Sequence, residues 1–389
     1  MSYALLTVAA IGHVILWAAI VNRLHGLGIE RRWIDAATAA CGLAMATLPL
    51  AVAALVWQRA QGRPSFGGDA AWMTASSYVI LCAGNAVVAG LQRLWLFWHP
   101  ERQGVLLANH TTRVHVRRSR GGPWTAPGIP TWLARLPGNQ VLDLRVHEKR
   151  LNIVRWPAGR EGLRLAHLSD FHMSGRIARA YYEAVVDEVN RLQPDLVAIT
   201  GDLVERAACL DWLPDTLGRL RAAAGVYFVR GNHDRRVDEQ RLLAAMDELG
   251  IVHLGGTTRQ LTVHGTPILL AGNERPWFGT PPSDLPPRDA DGLPLRILLA
   301  HGPDQYTWAR EHDFDLMLAG HNHGGQVRLP LVGAILAPSL AGTRYASGAF
   351  RRRQTVLHVS RGTASLTPFR WNCPPEIALL MLRAQERIT

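Results

Sequence analysis

LRLAHLSDFH (163–172) is a mostly apolar stretch of strand length that runs straight into Asp170 and His172. The pattern returns four times downstream, in LVAITGD (196–202), VYFVRGNHD (226–234), ILLAH (297–301) and LMLAGHNH (316–323). Each apolar run has the length of a buried strand. Each ends on aspartate, asparagine or histidine: Asp170 and His172; Asp202; Asn232, His233 and Asp234; His301; His321 and His323. In open α/β sheets, ligand sites collect beyond the carboxyl ends of strands, so these side chains are expected to converge on one crevice. Mixed imidazole and carboxylate donors suit first-row divalent ions rather than calcium. A single Asp-x-His or His-x-His more often consists of solvated surface side chains or a hydrogen-bonded core histidine. Five such ends in a row point to a metal centre.

Outward from this stretch, strands are predicted over 163–168, 196–200, 226–229, 268–271, 297–300 and 316–319. Helical periodicity covers 177–192, 209–223 and 238–249, which makes the region a layered α/β arrangement. Residues 99–160 read as a connector punctuated by proline, glycine and arginine, with a loop over 117–130 and strand-like alternation over 141–146. Trp124, Trp132 and Leu133 within it are read as packing in preference to interface contacts.

The N-terminal hundred residues differ in kind. Three uncharged runs, 2–21, 36–57 and 70–91, are broken only by such residues as His13, Pro49 and Asn85. Each approaches the roughly 20 residues that cross a hydrocarbon core. Helices of a soluble bundle would carry a polar face, which these lack. No basic stretch precedes the first run, so a cleaved signal peptide is not expected. Arg23, Arg31 and Arg32 sit in the first loop, and Arg102, Arg113, Arg117, Arg118 and Arg120 follow the third run. The second loop holds only Arg59 and Arg63. The positive-inside rule then predicts a multi-pass protein of the cytoplasmic membrane, with everything after Trp98 in the cytoplasm. The chain divides into a membrane region (1–98), a connector (99–160) and a catalytic domain (161–389).

A chain of 389 residues with a net charge of +11 and a single lysine, Lys149, is arginine-rich throughout. That charge suits an anionic surface or a phosphorylated ligand, and equally a genome that favours arginine codons. No nucleic-acid partner is expected, because the basic residues are not interleaved with aromatics in a stacking pattern. The four cysteines show no paired spacing, which excludes a disulfide framework or zinc knuckle.

Asp170-x-His172, Gly201-Asp202, Gly231-Asn232-His233-Asp234, His301 and Gly320-His321-x-His323 resemble the five motifs of the calcineurin-like metallophosphoesterase superfamily. Gly324-Gly325-Gln326 and the tail from Phe369 to Ile377 look like its membrane-anchored branch, which includes transmembrane metallophosphoesterase-domain proteins and relatives of UDP-2,3-diacylglucosamine pyrophosphatase. The resemblance implies a four-layer α/β/β/α sandwich. It implies two divalent metal ions (manganese, iron or zinc, manganese favoured), one held by Asp170, His172 and His323, the other by Asn232, His301 and His321, with Asp202 shared. It further implies that His233 faces the leaving oxygen as a donor and that Asp234 fixes its tautomer. The expected reaction is hydrolysis of a phosphoester or pyrophosphate in a lipid-linked, membrane-associated substrate, most specifically UDP-2,3-diacylglucosamine of lipid A synthesis. The alternatives are a broad phosphodiesterase or phosphomonoesterase acting on phospholipid or cell-wall intermediates, and a non-catalytic membrane scaffold with a structural metal.

Overall fold

The computed structural model describes residues 2–64, 66–98, 101, 103–114, 116, 123–157, 159–160 and 162–384, the Phe97 side chain excepted. The chain forms two compact units, one of residues 1–101 with 338–342 and one of the remainder.

The first unit holds α1 (Tyr3–His25), α2 (Arg31–Ala60) and α3 (Gly68–Trp98). All three are long and apolar enough to cross a membrane. Their outward faces carry bare leucines such as Leu43, Leu50, Leu81 and Leu91, as expected of helices that are apolar all round. Polar groups inside a membrane must find partners within the protein, and His13 finds two. Its Nδ1 lies 2.6 Å from the Tyr78 hydroxyl and its Nε2 lies 2.9 Å from the Met45 carbonyl. Gly12 lets α1 and α3 touch, because a Cβ there would strike the Cys82 carbonyl. Asn85 then donates to the Gly12 oxygen at 2.9 Å. Pro338–Gly342 pack in the same unit, where a Cβ on Gly26 would come within 2.8 Å of the Leu340 nitrogen.

The second unit is a four-layer α/β/β/α sandwich. One sheet runs β1 (Leu106–Arg113), β2 (Arg145–Asn152), β15 (Glu376–Arg383), β3 (Leu163–Leu168), β4 (Leu196–Thr200), β5 (Val226–Val229), β6 (Ile251–His253). The other runs β13 (Gly348–Arg352), β14 (Thr355–Val359), β10 (Leu316–Ala319), β9 (Leu295–Ala300), β8 (Thr266–Asn273), β7 (Thr258–Val263). Alternation along the strands divides the core. Leu196 and Ala198 of β4 face the other sheet with Ile297, Leu299, Leu316 and Leu318. Val197 and Ile199 face the opposite way, onto Val185 and Val189 of α5 (Arg179–Arg191) and Leu242 and Met246 of α6 (Glu239–Glu248). Strands β3, β4 and β5 are mutually parallel, as are β8, β9, β10 and β14.

Three expectations change. The helix predicted over 209–223 is replaced by two short 3-10 turns, Ala207–Trp212 and Leu217–Arg219. Pro214 lies between them and can neither donate to nor fit a helix interior. The strand expected over 141–146 is β2, beginning at Arg145, while Asp143 closes a turn onto the Gln140 carbonyl. The stretch read as a connector supplies β1, β2 and a short helix, α4 (Ile129–Ala134). Of the loop read over 117–130, residues 117–122 lie outside the described residues. Trp124 packs against the core as expected, whereas Trp132 is 63% exposed.

Charged β2 enters the sheet because its charges are paired between the layers. Lys149 reaches both Glu376 carboxylate oxygens at 3.4 Å and donates to His358 Nε2 at 2.9 Å. With an ammonium at one end the tautomers follow: His358 Nδ1–H donates to His167 Nδ1 at 2.8 Å, and His167 Nε2–H donates to the Thr200 hydroxyl at 2.9 Å. Burial holds His167 down to about 3, so both rings stay neutral. Burial alone would raise Glu376, but Lys149 and Arg361 outweigh it and keep the carboxylate charged. This polar line ties β2, β15, β14, β3 and β4 together and ends at Thr200, the carboxyl end of β4.

Candidate metal centre

Every residue expected at the site leaves the carboxyl end of β3, β4, β5, β9 or β10. The approach is close enough to require glycine: a Cβ on Gly231 would strike the Asp202 carboxylate, and one on Gly320 would strike Ser169 and Asp170. Asp170, His172, Asp202, His321 and His323 all have positive φ, between 47° and 68°. Non-glycine residues in this region are uncommon and cost about 1–3 kcal/mol each, and such strain gathers at functional sites.

The seven side chains expected to hold metal are brought together in two groups that share Asp202. In the first, His172 Nε2 lies 2.9 Å from His323 Nε2, 3.4 Å from Asp202 Oδ2 and 4.0 Å from Asp170 Oδ1. His323 Nε2 is 3.5 Å from Asp170 Oδ1. In the second, His301 Nε2 lies 3.1 Å from Asn232 Oδ1, 3.1 Å from His321 Nδ1 and 3.3 Å from Asp202 Oδ2. Donors bound to one divalent ion at about 2.0–2.2 Å sit about 2.9–3.4 Å apart at tetrahedral or octahedral angles. Nearly all of these separations lie close to that range. Lone pairs that would otherwise repel are aimed at common points, and the donor set fits divalent cations.

The electrostatics agree. Burial and the Asp202 carboxylate both push Asp170 upward. Burial alone would lower His301, but Asp202 holds its proton up to about 9. Two buried carboxylates therefore draw protons onto neighbouring rings, and cations seated there would take the protons' place. His301 donates its other nitrogen, Nδ1, to the Thr200 carbonyl at 2.7 Å, which leaves Nε2 free to ligate.

The structure reassigns Asp234. Its carboxylate accepts backbone N–H groups from Asp202 (3.0 Å), Leu203 (2.7 Å), Val204 (3.1 Å) and Gly231 (2.7 Å). Asp234 thus pins the loop after β4 to the loop after β5, and it does not hold the His233 ring. That position belongs to Glu205, whose Oε1 lies 2.5 Å from His233 Nδ1 and 2.5 Å from His172 Nδ1. Arg236 pairs with its other oxygen. Burial alone would raise Glu205, but the two histidines bring it down to about 2. Its sequence signal was an acid three residues past Asp202, in the same loop.

Two other contributors escaped sequence reading. Arg370, fully buried, donates to His323 Nδ1 at 3.1 Å. Trp277 packs on His321 and His301, with ring centroids 4.8 and 5.3 Å apart. Five of the seven are deeply buried; Asn232 and His323 are only partly so, the His323 side chain being 15% exposed, as is that of His233. The centre opens on that side.

The calcineurin-like phosphoesterase family model matches residues 163–325. The phosphodiesterase YaeI of Escherichia coli (strain K12) is 33% identical over 224 residues, covering 56% of this chain and 82% of that protein. The uncharacterized metallophosphoesterase YkuE of Bacillus subtilis (strain 168) is 28% identical over 242 residues, covering 59% and 82%. A Bos taurus transmembrane protein with metallophosphoesterase domain is 27% identical over 348 residues, covering 81% of this chain and 73% of its own.

Glu205 orients a ring in the first donor group without touching the ligand points. Glu205→Gln should therefore lower metal affinity about 10–100-fold, measured by competition with a chelator. Unchanged affinity would remove Glu205 from the support of the site.

Proposed function

This chain belongs to the calcineurin-like phosphoesterases and is a metal-dependent hydrolase of phosphoester bonds, and on that premise we propose that its substrate is a membrane-associated phosphodiester or pyrophosphate. The most specific candidate is UDP-2,3-diacylglucosamine. The observation that carries this reading is a two-group donor centre, joined through Asp202, in a chain that also has three helices able to cross a membrane. A scissile bond at headgroup level suits an enzyme tethered in that way. The Escherichia coli relative, a phosphodiesterase, favours a second reading, a broader phosphodiesterase acting on phospholipid or cell-wall intermediates.

In this reading Asp170, His172, Asp202 and His323 hold one divalent ion, and Asp202, Asn232, His301 and His321 the other, with manganese favoured. When bound, such a pair supplies an acidified water and offsets charge on the phosphoryl oxygens. The protein's own part is positional. Asp202 fixes the spacing of the two groups, and its Oδ1 accepts the His233 backbone N–H at 2.8 Å. His233 stands on the open side with Nδ1 against Glu205, so its Nε2 is left for the leaving oxygen. Trp277 packs against the His301 and His321 rings of the second group.

Arginines flanking the helices support a cytoplasmic catalytic region in the inner membrane. A reporter fused after Thr389 should be active in the cytoplasm; one active only outside would reverse the orientation and sink the lipid A assignment.

Purified full-length protein with Mn²⁺ should release UMP from UDP-2,3-diacylglucosamine faster than it cleaves a generic aryl phosphodiester. The opposite ranking selects the broader phosphodiesterase.

His233→Ala should retain metal yet lose about 10²–10⁴-fold in rate, as for removal of one acid or transition-state donor. A nitrophenyl ester, whose leaving group needs little protonation, should suffer less. Loss of metal comparable with that of His321→Ala would place His233 among the ligands instead.

A further inference from the structure

Five residues beyond the metal-site residue His323, past Gly324-Gly325, the chain makes a small hairpin, β11 (Arg328–Leu329) paired with β12 (Gly333–Ala334). Its sequence, LPLVGAIL (329–336), contains no polar side chain. Leu329 is 38% exposed, Leu331 102%, Val332 48% and Leu336 54%. The other large exposed apolar side chains of this unit are scattered singly or in pairs, which is ordinary for a protein surface, whereas four within eight residues call for a cause.

The turn is built to present leucine. Val332 N–H donates to the Pro330 carbonyl at 2.7 Å, closing a three-residue turn around Leu331 at φ 63°. Positive-φ turns of this size are rare and strained, and glycine or asparagine meets that conformation more easily. Here strain is accepted and a solvent-exposed leucine stands at the tip. The base is firm by contrast. Arg328 donates to the Gly324 carbonyl at 3.2 Å and to the Ser347 hydroxyl at 3.1 Å. Val327 is bridged to Trp371, a residue 36% exposed whose ring is of the amphipathic kind that settles at headgroup depth.

We propose that the hairpin 329–336 inserts its apolar tip into the lipid bilayer that the chain's own helices occupy, holding the open side of the metal centre at headgroup level. A bilayer is the occupant the chain itself supplies. Three helices of the same polypeptide are able to cross one, and the residues that follow the hairpin, Pro338–Gly342, pack in the unit formed by those helices. Insertion of a few large apolar side chains beside an aromatic ring is how interfacial elements bind lipid, and the affinity grows with the buried apolar area. The proposal rests on the membrane reading above and extends it by naming the surface that meets lipid.

The test uses the full-length protein in phosphatidylcholine–phosphatidylglycerol nanodiscs. The four native cysteines are buried, so Leu331→Cys supplies the reactive thiol for an environment-sensitive fluorophore. Spin-labelled lipid should quench that probe strongly. The same probe on Val252→Cys, 38% exposed on β6, should be quenched little. In parallel, the Leu331→Asp, Val332→Asp double variant should lose at least about tenfold in turnover of a lipid-borne phosphodiester while keeping wild-type turnover of a water-soluble aryl phosphodiester. Equal quenching at 331 and 252 overturns the proposal. Strong quenching at 331 alone, in a protein that cleaves no lipid-borne substrate, sustains the docking hairpin and overturns the lipid-substrate reading.

Discussion

The crowding of buried carboxylates at the strand ends governs the rest of the catalytic unit. Asp170 and Asp202, 0% and 1% exposed, stand with four imidazoles in a largely buried space. Each isolated charge in such surroundings is costly, and the arrangement is tolerable only with positive charge between them. Several other features follow from that demand. Glycines at 201, 231 and 320 allow the chain to approach, and Asp234 uses four backbone donors to lock two loops into register. Five residues accept left-handed backbone so that their side chains turn inward.

The sequence made this end of the sandwich legible because chemistry and hydrophobic pattern coincide there. Strands β5 and β10 carry uninterrupted apolar runs and β3 and β4 mostly apolar ones, and the polar residues that follow them are the ones that converge. The far edge of the first sheet was not legible for the opposite reason. RVHEKRLN of β2 reads as solvated surface, yet Lys149 and His147 are buried beside Glu376, which lies more than two hundred residues away. A tertiary ion pair overrides local hydropathy, and nothing in either segment alone announces its partner. The same holds at the metal centre. Its ligand points were visible as motifs, but the groups that orient them, Glu205, Arg370 and Trp277, act through contacts that only the fold creates.

The polar line from Lys149 through His358 and His167 to Thr200 adds directionality. Each donor faces one acceptor, so the two buried rings have single tautomers. Thr200 ends this line at its hydroxyl and receives His301 Nδ1–H at its carbonyl. A residue of the second donor group is thereby seated on a strand end held from below by a network with little freedom to rearrange. Such networks rigidify a core when fully satisfied, and here the rigidity is delivered where ligand spacing matters to a few tenths of an ångström.

The first donor group is supported asymmetrically. Behind His172 stands the Glu205 carboxylate, which accepts Nδ1–H and makes Nε2 a stronger donor. Behind His323 stands the Arg370 guanidinium, which donates to Nδ1 and withdraws charge from the ring. Burial above all, then His172 and Arg370, drive the His323 ring well below ordinary imidazole basicity, whereas Asp202 and Glu205 raise His172 against burial. The two Nε2 atoms are 2.9 Å apart, and with Arg370 on its Nδ1 the neutral His323 ring carries its proton on Nε2. A cation would therefore find a lone pair ready at His172 and would have to displace a proton, or the Arg370 contact, at His323. His323 is also the more exposed of the pair, on the side where the centre opens. The weaker ligand therefore faces the incoming substrate and the stronger ligand faces the core. That ordering keeps an ion anchored from within while leaving its outer coordination the easier to exchange.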